Sequence, residues 1–333
     1  MNDERSVQVN PEGPQTPTII DRMITSESDL RLYIDDLRTR KVTAVSFDME
    51  GDQGSIRYQY SISIFQCYDG EQSAIIDVLR MGNNPTLKEF LTCQDITKVM
   101  FSCSNDIFMT QNVLGCTISP VRDIAIGQTL LGLPVNLSNY LNIDKKIKDS
   151  FQRANWLARP IRPELLEYAI NDVLGLLSIE KEIAVELYEK NLFQNYEKGA
   201  VAISSRDFTV NQHKQYLAKF PAYARLNPQK KQLAASVWIF RELLGESLNC
   251  PVGYLISKKV MSHIINNSAD DVLKALISEL NRGRRAERRI APSVIVSLFN
   301  KAINSPHLPP RVEWRKTARQ RDNATTPKNS FLS

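Results

Sequence analysis

The chain has 333 residues and a net charge of +5, with 42% hydrophobic and 24% charged residues. This composition is ordinary for a globular protein, and the length allows two domains or one large one. No run of about 18 apolar residues occurs, so the sequence predicts no membrane span. The N-terminus lacks a basic segment followed by an apolar one, which argues against a secretory signal. Residues 1–24 predict a flexible N-terminal arm.

The charge is distributed unevenly along the chain. Residues 1–200 carry 20 Lys and Arg against 28 Asp and Glu, whereas residues 201–333 carry 22 against 9. An acidic half can hold cations, and a basic half can hold a polyanion such as nucleic acid. The alternative is that the second half simply has well-solvated basic faces.

The cysteines and histidines argue against zinc and against disulfides. The five cysteines form no Cys-x-x-Cys pair, and all three histidines lie beyond residue 200. An odd, scattered set of cysteines indicates reduced thiols. We therefore expect an intracellular protein, cytoplasmic or nuclear, with an organelle left open.

The first 200 residues predict strands that alternate with helices. Three strands come in quick succession, and later strands are separated by helices, so we expect a mixed α/β sheet flanked by helices. The predicted strands are 42–48, 60–67, 73–79 and 98–102, and the predicted helices are 26–40, 85–92, 105–114 and 163–198, with 118–126 beginning extended and turning helical. The last of these helices has a possible break near Asn191.

The remainder of the chain predicts helices only. A polar linker is expected over 201–226, a small all-helical domain over 227–305, and a basic disordered tail over 306–333. The helices of that domain are predicted at 229–247, 257–265, 268–280 and 292–303.

The stretch VSFDME ends an apolar strand with two carboxylates. Because side chains alternate along a strand, Asp48 and Glu50 lie on one face, where two buried anions require a compensating cation. Asp106 opens the helix after the KVMFS strand. Asp172 lies beside an apolar helical stripe, with Tyr168 one turn before it. Taken singly, each of these two acids could be a helix cap or a solvated residue.

Together, these ordered motifs resemble those of the DEDD 3′–5′ exonucleases, and of ribonuclease D and the exosome-associated ribonuclease D-like enzymes in particular. The resemblance covers about residues 25–200 and implies a ribonuclease H-like fold. It departs from the family at Phe101, where His is frequent, and at Asn155, where Asp is usual. The segments that carry it are AIIDVL, KVMFSCSNDIFMTQNVLG, VRDIAIGQTLLG and FQRANWLARPIRPELLEYAINDVLGLL.

The helical half resembles an HRDC domain, the nucleic-acid-binding module that follows the exonuclease domain of ribonuclease D. The segment KKQLAASVWIFRELLGESLNCPVGYLISKKVMSHI carries this likeness. Arg282, Arg284, Arg285, Arg288 and Arg289 form a basic cluster next to it, which suits phosphate contacts or a solvated loop.

The exonuclease resemblance implies two Mg²⁺ or Mn²⁺ ions and a role for each acid. Asp48 would bridge the ions, Glu50 and Asp172 would complete the site that activates water, and Asp106 would hold the second ion. Tyr168 identifies the DEDDy branch, because the other branch has a His at the position of Glu167. The phenol would orient a water, since its ordinary pKa of about 10 makes it a poor base.

The candidates for nucleotide contact are less constrained. Met49 lies between two of the acids and should face the terminal nucleotide. The other candidates are Met109, Trp156, Arg159, Arg284 and Arg285.

The sequence therefore predicts a 3′–5′ exoribonuclease that acts on single-stranded or tailed RNA 3′ ends and releases nucleoside 5′-monophosphates. A DNA 3′–5′ exonuclease is the alternative within enzymes, because HRDC domains also accompany DNA helicases. A catalytically silent RNA-binding adaptor is the alternative outside them, although all four acids and Tyr168 are present. A set of merely structural acids fits the ordered pattern least well.

Overall fold

The computed structural model describes residues 20–137, 150–208, 225–266, 269–282 and 289–304. The predicted tail, most of the predicted arm and linker, and both Arg284 and Arg285 lie outside these residues. The chain divides into two compact units. The first holds the described residues up to Gly51 and from Ser61 to Phe208, and the second combines Asp52–Tyr60 with the described residues after Phe208.

The first unit is built on a six-stranded mixed sheet. Its strand order is β1-β4-β3-β2-β5-β6. Strand β1 is parallel to β4, β3 is antiparallel to β4, and β5 is parallel to both β2 and β6. The strands are β1 (Arg22–Ile24), β2 (Ala44–Asp52), β3 (Ser61–Tyr68), β4 (Ser73–Asp77), β5 (Thr97–Met100) and β6 (Val121–Asp123). The predicted mixed sheet flanked by helices is confirmed.

The helices of this unit follow the predicted order. Ser26 caps α1 by accepting from the Asp29 backbone N–H, and Asn84 caps α3 in the same way. The helices are α1 (Glu27–Thr39), α2 (Val78–Met81), α3 (Pro85–Thr92), α4 (Ser104–Val113), α5 (Ile124–Leu130), α6 (Pro163–Leu174), α7 (Leu176–Glu189) and α8 (Phe193–Ser204).

The two faces of the sheet bury different side chains. On one face Phe47 of β2 stacks on Phe65 of β3, with ring centroids 5.0 Å apart, and contacts Phe90 of α3. On the other face, α6 packs on Ile64 and Ile75. Because side chains alternate along a strand, residues next to Phe47 in sequence face α6 and α7. This alternation brings Asp48 and Glu50 to the α6 side.

Several predicted boundaries were wrong. Residues 22–24 of the predicted arm form β1, because their backbone continues the sheet beside β4. The predicted helix 163–198 is three helices. The break at Asn191 is confirmed by its left-handed φ of 57°, but the division at Gly175 was missed. Strand β4 ends at Asp77, whose carboxylate caps α2. Helix α8 runs to Ser204, inside the predicted linker.

The second unit is helical, as predicted. Its core is lined by Trp238, Phe240 and Phe299, and the buried Arg241 guanidinium lies 4.1 Å from the centre of the Trp238 ring. Gly245 allows a close approach, since a Cβ there would lie 2.7 Å from the Tyr58 ring. The helices are α9 (Pro228–Leu248), α10 (Val252–Leu255), α11 (Lys258–Asn266), α12 (Ala269–Asn281) and α13 (Pro292–Ile303).

Across the described residues, the helices are all too short or too polar to cross a bilayer.

Candidate active site

The strand pairing brings three of the predicted acids to one edge of the sheet. Strands β2 and β5 are neighbours and run in the same direction, with Ser46 opposite Val99. Their carboxyl ends therefore lie at the same edge, where open α/β sheets bind their ligands. Asp48 and Glu50 lie two and four residues beyond Ser46, and Asp106 lies in the first turn of α4, just after β5.

Asp106 is a buried carboxylate next to other carboxylates. Its side chain belongs to a residue that is only 8% exposed. Burial raises the pKa of Asp106 well above its usual range, and the nearby Asp48 and Asp123 raise it further, opposed by its own backbone N–H. Within the described chain, no lysine or arginine is among the charges acting on it. The ionised form of Asp106 is therefore electrostatically uncompensated.

Asp123 holds the turn that presents Asp106. Its carboxylate accepts hydrogen bonds from the backbone N–H of Ser102 at 2.7 Å and of Cys103 at 3.1 Å, and it also caps α5 through Ala125. Ser102 has a φ of 56°, which is costly for a residue with a side chain, so the turn needs this support. Sequence analysis gave Asp123 no role, although its position in VRDIAIG, between a strand and a helix, was the available signal.

Helix α6 places Tyr168 and Asp172 one turn apart on its buried face. Leu165, Ala169 and Val173 complete that stripe, and Asp172 is 9% exposed. The pKa of Tyr168 is raised first by burial and then by Asp172, with smaller contributions from Glu50 and Asp48 (its hydroxyl stays protonated). The charge of Asp48 raises the pKa of both Asp106 and Tyr168. Asp48 therefore links Asp106 to the side chains around Tyr168.

The Tyr168 hydroxyl is buried without a hydrogen bond of good geometry in the described structure, although it lies close to Asp172. Its ring packs between Phe151 and Trp156, with centroids 5.2 Å and 6.4 Å away. The Asp172 carboxylate acts on this hydroxyl both by its charge and by hydrogen bonding, so Tyr168 belongs to the same group of side chains as the predicted acids.

Arg159 is held by the protein itself. Its guanidinium donates two hydrogen bonds to Asp77, at 2.8 and 2.9 Å, one to the Ser63 hydroxyl and one to the Trp156 carbonyl. This bidentate pair fastens the segment before α6 to β3 and β4. Sequence analysis missed Asp77, which was visible in AIIDVL as an acid ending an apolar strand.

The candidate nucleotide contacts are largely inaccessible in this structure. Trp156 is 1% exposed and its indole N–H donates to the Phe151 carbonyl, while Met109 is fully buried. Met49 is 7% exposed, and by strand alternation its side chain lies on the face opposite to Asp48. Contact of Met49, Met109, Trp156 or Arg159 with a nucleotide stays a prediction.

Gly51 permits β2 and β3 to approach closely beside Glu50. A Cβ at Gly51 would lie 2.3 Å from the Ser61 carbonyl oxygen, which no side chain tolerates. The glycine after the DME sequence is therefore required by packing at the end of the strand that carries two of the acids.

The four predicted acids have the ligand atoms that divalent metal ions prefer, but their side chains do not converge on one position. In the part of the chain that the structure describes, no three His, Cys, Asp or Glu side chains converge closely enough to coordinate an ion. The acids nevertheless offer only hard oxygen ligands, and the mutual repulsion of Asp48 and Asp106 is what a cation would relieve. The four acids therefore suit divalent metal ions in the type of their ligand atoms and in their charge.

Comparison with known proteins places these observations in a family. Residues 22–188 match the 3′–5′ exonuclease family. Ribonuclease D of Xanthomonas oryzae pv. oryzae is 27% identical over 262 residues, covering 76% of this chain and 70% of the relative.

Two solved structures show the same fold. Escherichia coli RNase D has a TM-score of 0.65 at 22% identity, covering 91% of this chain and 82% of that one. The catalytic core of RRP6 from Trypanosoma brucei has a TM-score of 0.66 at 20% identity, covering 86% and 80%.

The sheet with its carboxylate edge and the family match over half of the chain lead to one conclusion. The chain belongs to the 3′–5′ exonuclease family, whose members depend on divalent metal ions, and within it is a ribonuclease D-like enzyme, a hydrolase of phosphodiester bonds.

Proposed function

We propose that this enzyme is an exoribonuclease that shortens RNA from its 3′ end by two-metal-ion hydrolysis and releases nucleoside 5′-monophosphates. The observation that carries the proposal is the mutual repulsion of Asp48 and the buried Asp106 at the carboxyl ends of neighbouring parallel strands. RNA as the substrate is supported by the similarity to ribonuclease D.

In this proposal the four acids hold two divalent ions. Asp48 would contribute to both ions, Glu50 and Asp172 to one, and Asp106 to the other. When bound, Mg²⁺ or Mn²⁺ ions supply an activated water and stabilise the leaving oxygen.

Tyr168 acts as a hydrogen-bonding group rather than as a base. Its raised pKa keeps the phenol protonated at every pH at which the enzyme works. The ring is held between Phe151 and Trp156, and the hydroxyl, beside Asp172, orients the attacking water or the scissile phosphate. Since Asp172 lies one turn away on the same helix, any movement of α6 would displace both groups together.

We further propose that the helical unit, residues 228–303, binds RNA in the manner of an HRDC domain. The domain boundaries at 25–200 and 227–305 belong to this proposal. Two arginines of the predicted basic cluster, Arg282 and Arg289, are described and exposed, and Arg282 pairs with Glu279 at 2.6 Å. An arginine in an exposed ion pair can exchange its partner for a phosphate at little cost.

One gel tests the catalytic proposal. The purified chain is mixed with 5′-labelled single-stranded RNA or the matching DNA, in Mn²⁺, Mg²⁺ or EDTA, alongside the Asp106→Asn variant. We expect a metal-dependent ladder that shortens from the 3′ end of RNA and is absent in the variant. Preferential digestion of DNA would identify a DNA exonuclease, and RNA binding without digestion would identify an adaptor.

A further inference from the structure

A lysine and a cysteine outside the active site lie in contact. Lys98, on β5, is fully buried, and Cys93, the residue that ends α3, is partly exposed. The Lys98 Nζ atom lies 3.5 Å from the Cys93 Sγ atom. The catalytic proposal uses neither side chain.

The surroundings fix the direction of the lysine nitrogen. Lys98 Nζ donates to the backbone carbonyls of Cys93 at 3.1 Å and Ser119 at 3.2 Å. Two of its three substituent positions are therefore occupied, and the third faces the sulfur atom. The Phe90 ring lies on the same nitrogen, with its centroid 5.6 Å away. These contacts hold the nitrogen in place, and none of its described hydrogen bonds goes to a carboxylate.

Burial favours the neutral form of this amine. Loss of hydration lowers the pKa of Lys98 from its ordinary value, and Cys93, Cys67 and Asp95 oppose that effect without outweighing it. The nitrogen donates its third N–H to the Cys93 sulfur. Once the amine is neutral, it keeps two N–H groups for the two carbonyls, and its lone pair takes the direction of the sulfur. An amine with a free lone pair is a nucleophile, whereas an ammonium is not.

The sulfur is reachable from solvent while the nitrogen is not. Partial exposure of Cys93 lets a small oxidant reach its Sγ atom, and the thiol donates a hydrogen bond to the Phe90 carbonyl at 3.3 Å. Sulfenic acids condense with nearby thiols, or with a backbone nitrogen to give a sulfenamide. The Lys98 nitrogen is held 3.5 Å from the Cys93 sulfur, so it is the nitrogen best placed for the same reaction here.

We propose that Cys93 and Lys98 form a covalent sulfur–nitrogen bond when the enzyme meets hydrogen peroxide. In the first step the thiol is oxidised to a sulfenic acid, peroxide is reduced and one water leaves. In the second step the Lys98 nitrogen attacks the sulfur, the S–O bond breaks, and the hydroxyl leaves as a second water with a proton from the amine. The product has two hydrogens fewer than the reduced protein, and a thiol reductant reverses the bond.

The bond would staple the end of α3 to β5. Strand β5 leads through Cys103 into α4, which carries Asp106. The staple therefore lies on the element that presents one of the proposed metal ligands, although the crosslink chemistry does not depend on that proposal. The closed loop spans only Cys93 to Lys98, so we expect a small gain in thermal stability.

Mass spectrometry tests this directly. The reduced full-length protein is treated with hydrogen peroxide, denatured, alkylated at free thiols and digested with trypsin. We expect Cys93 to resist alkylation, cleavage after Lys98 to fail, and one peptide spanning 89–122 to appear with two hydrogens fewer. Dithiothreitol before alkylation should restore both cleavage and alkylation. Cys116 and Cys250, which are also partly exposed, serve as internal comparisons and should remain alkylated or oxidise without a link to lysine.

Two variants separate this chemistry from ordinary thiol oxidation. Cys93→Ser keeps the carbonyl contacts of Lys98 and should give no crosslink and normal cleavage. Lys98→Arg keeps N–H donors and a tryptic cleavage site at this position but has no nucleophilic amine, so its Cys93 should stop at sulfenic or sulfinic acid. The wild-type digest is decisive even if Lys98→Arg fails to fold. An oxidised Cys93 with normal cleavage after Lys98, or an unmodified Cys93, would overturn the proposal.

Discussion

Two buried carboxylates at the ends of strands in the same sheet are treated in opposite ways. Asp77, the last residue of β4, receives two hydrogen bonds from Arg159. Asp106, after β5, faces Asp48 and receives no cation from the described chain. Both are nearly inaccessible, at 4% and 8% exposure. Since an uncompensated buried charge is expensive, the difference shows that Asp77 serves the fold, and it supports the proposal that Asp106 serves a ligand.

A third carboxylate belongs with Asp77. Burial raises the pKa of Asp69, but the hydrogen bond from Arg40 and those from the backbone N–H groups of Gln72 and Glu71 outweigh it, so the pKa lies below its usual value. Charged groups that stabilise the fold are therefore recognised by their partners. Substitutions of carboxylates with a cationic partner, and of those without one, test this distinction.

The largest effect is expected at Asp106. Asp106→Asn should lower kcat by at least about 100-fold, the scale of losing one group that stabilises the transition state. Without metal, the same variant should be as stable as the wild type or more stable, because a repulsive charge is gone. Single-turnover digestion measures the loss of rate, and thermal unfolding in EDTA measures the stability. Asp95→Asn, at an exposed carboxylate, is the control. An Asp106→Asn variant that is less stable than the wild type and keeps its activity would contradict the prediction.

The converse is expected at Arg159. Arg159→Met leaves Asp77 buried without its cation and should cost about 3–5 kcal/mol of unfolding free energy. Urea denaturation measures the loss, and adding Asp77→Asn should recover part of it. Activity of the remaining folded enzyme should change little. A large rise in KM at full stability would instead make Arg159 the substrate contact that the sequence suggested.

Tyr168 should respond as a functional residue. Tyr168→Phe should lower kcat about 10- to 100-fold with a smaller change in KM, since it removes a hydroxyl that orients the reacting groups. Stability should change by no more than about 1 kcal/mol, because the buried hydroxyl interacts chiefly with Asp172 at the proposed site. Tyr196 is a matched control, with a second such hydroxyl on a residue that is fully buried. Equal activity losses in Tyr168→Phe and Tyr196→Phe would refute the assignment.

The smallest effect is a difference in pH dependence. The depressed pKa of Asp69 gives stability that is present above the ordinary pKa and is lost as the pH falls through the lower, folded value. Asp69→Asn should thus cost about 2 kcal/mol at neutral pH, and the deficit should shrink below about pH 4.

Asp106 has the opposite sign, because its pKa is raised. Its ionisation costs stability as the pH rises, so the advantage of Asp106→Asn over the wild type should grow toward neutral pH. Thermal unfolding of both variants in EDTA across this range decides the matter. Parallel pH profiles for the two variants would contradict the distinction between compensated and uncompensated carboxylates.

Much of the first unit could be predicted because its signals are local. Periodicity located helices and strands within a few residues, and the spacing of Asp48 and Glu50 placed both on one face. Local signals did not predict elements that depend on contacts with residues distant in sequence. Strand β1 is three residues long and exists because β4 offers it an edge. Gly175 divides α6 from α7, and the helical apolar pattern that continues on both sides of it hid this break.

The sequence by itself determined which residues are candidates for the chemistry, because a two-residue strand period, a four-residue helix period and the family resemblance can all be read along the chain. Only the tertiary structure decided which acids are compensated. Asp77 and Arg159 are 82 residues apart, and Asp123 supports the turn before Asp106 from another strand. Electrostatic compensation depends on distance in space and on burial, and neither quantity is written in the order of the residues.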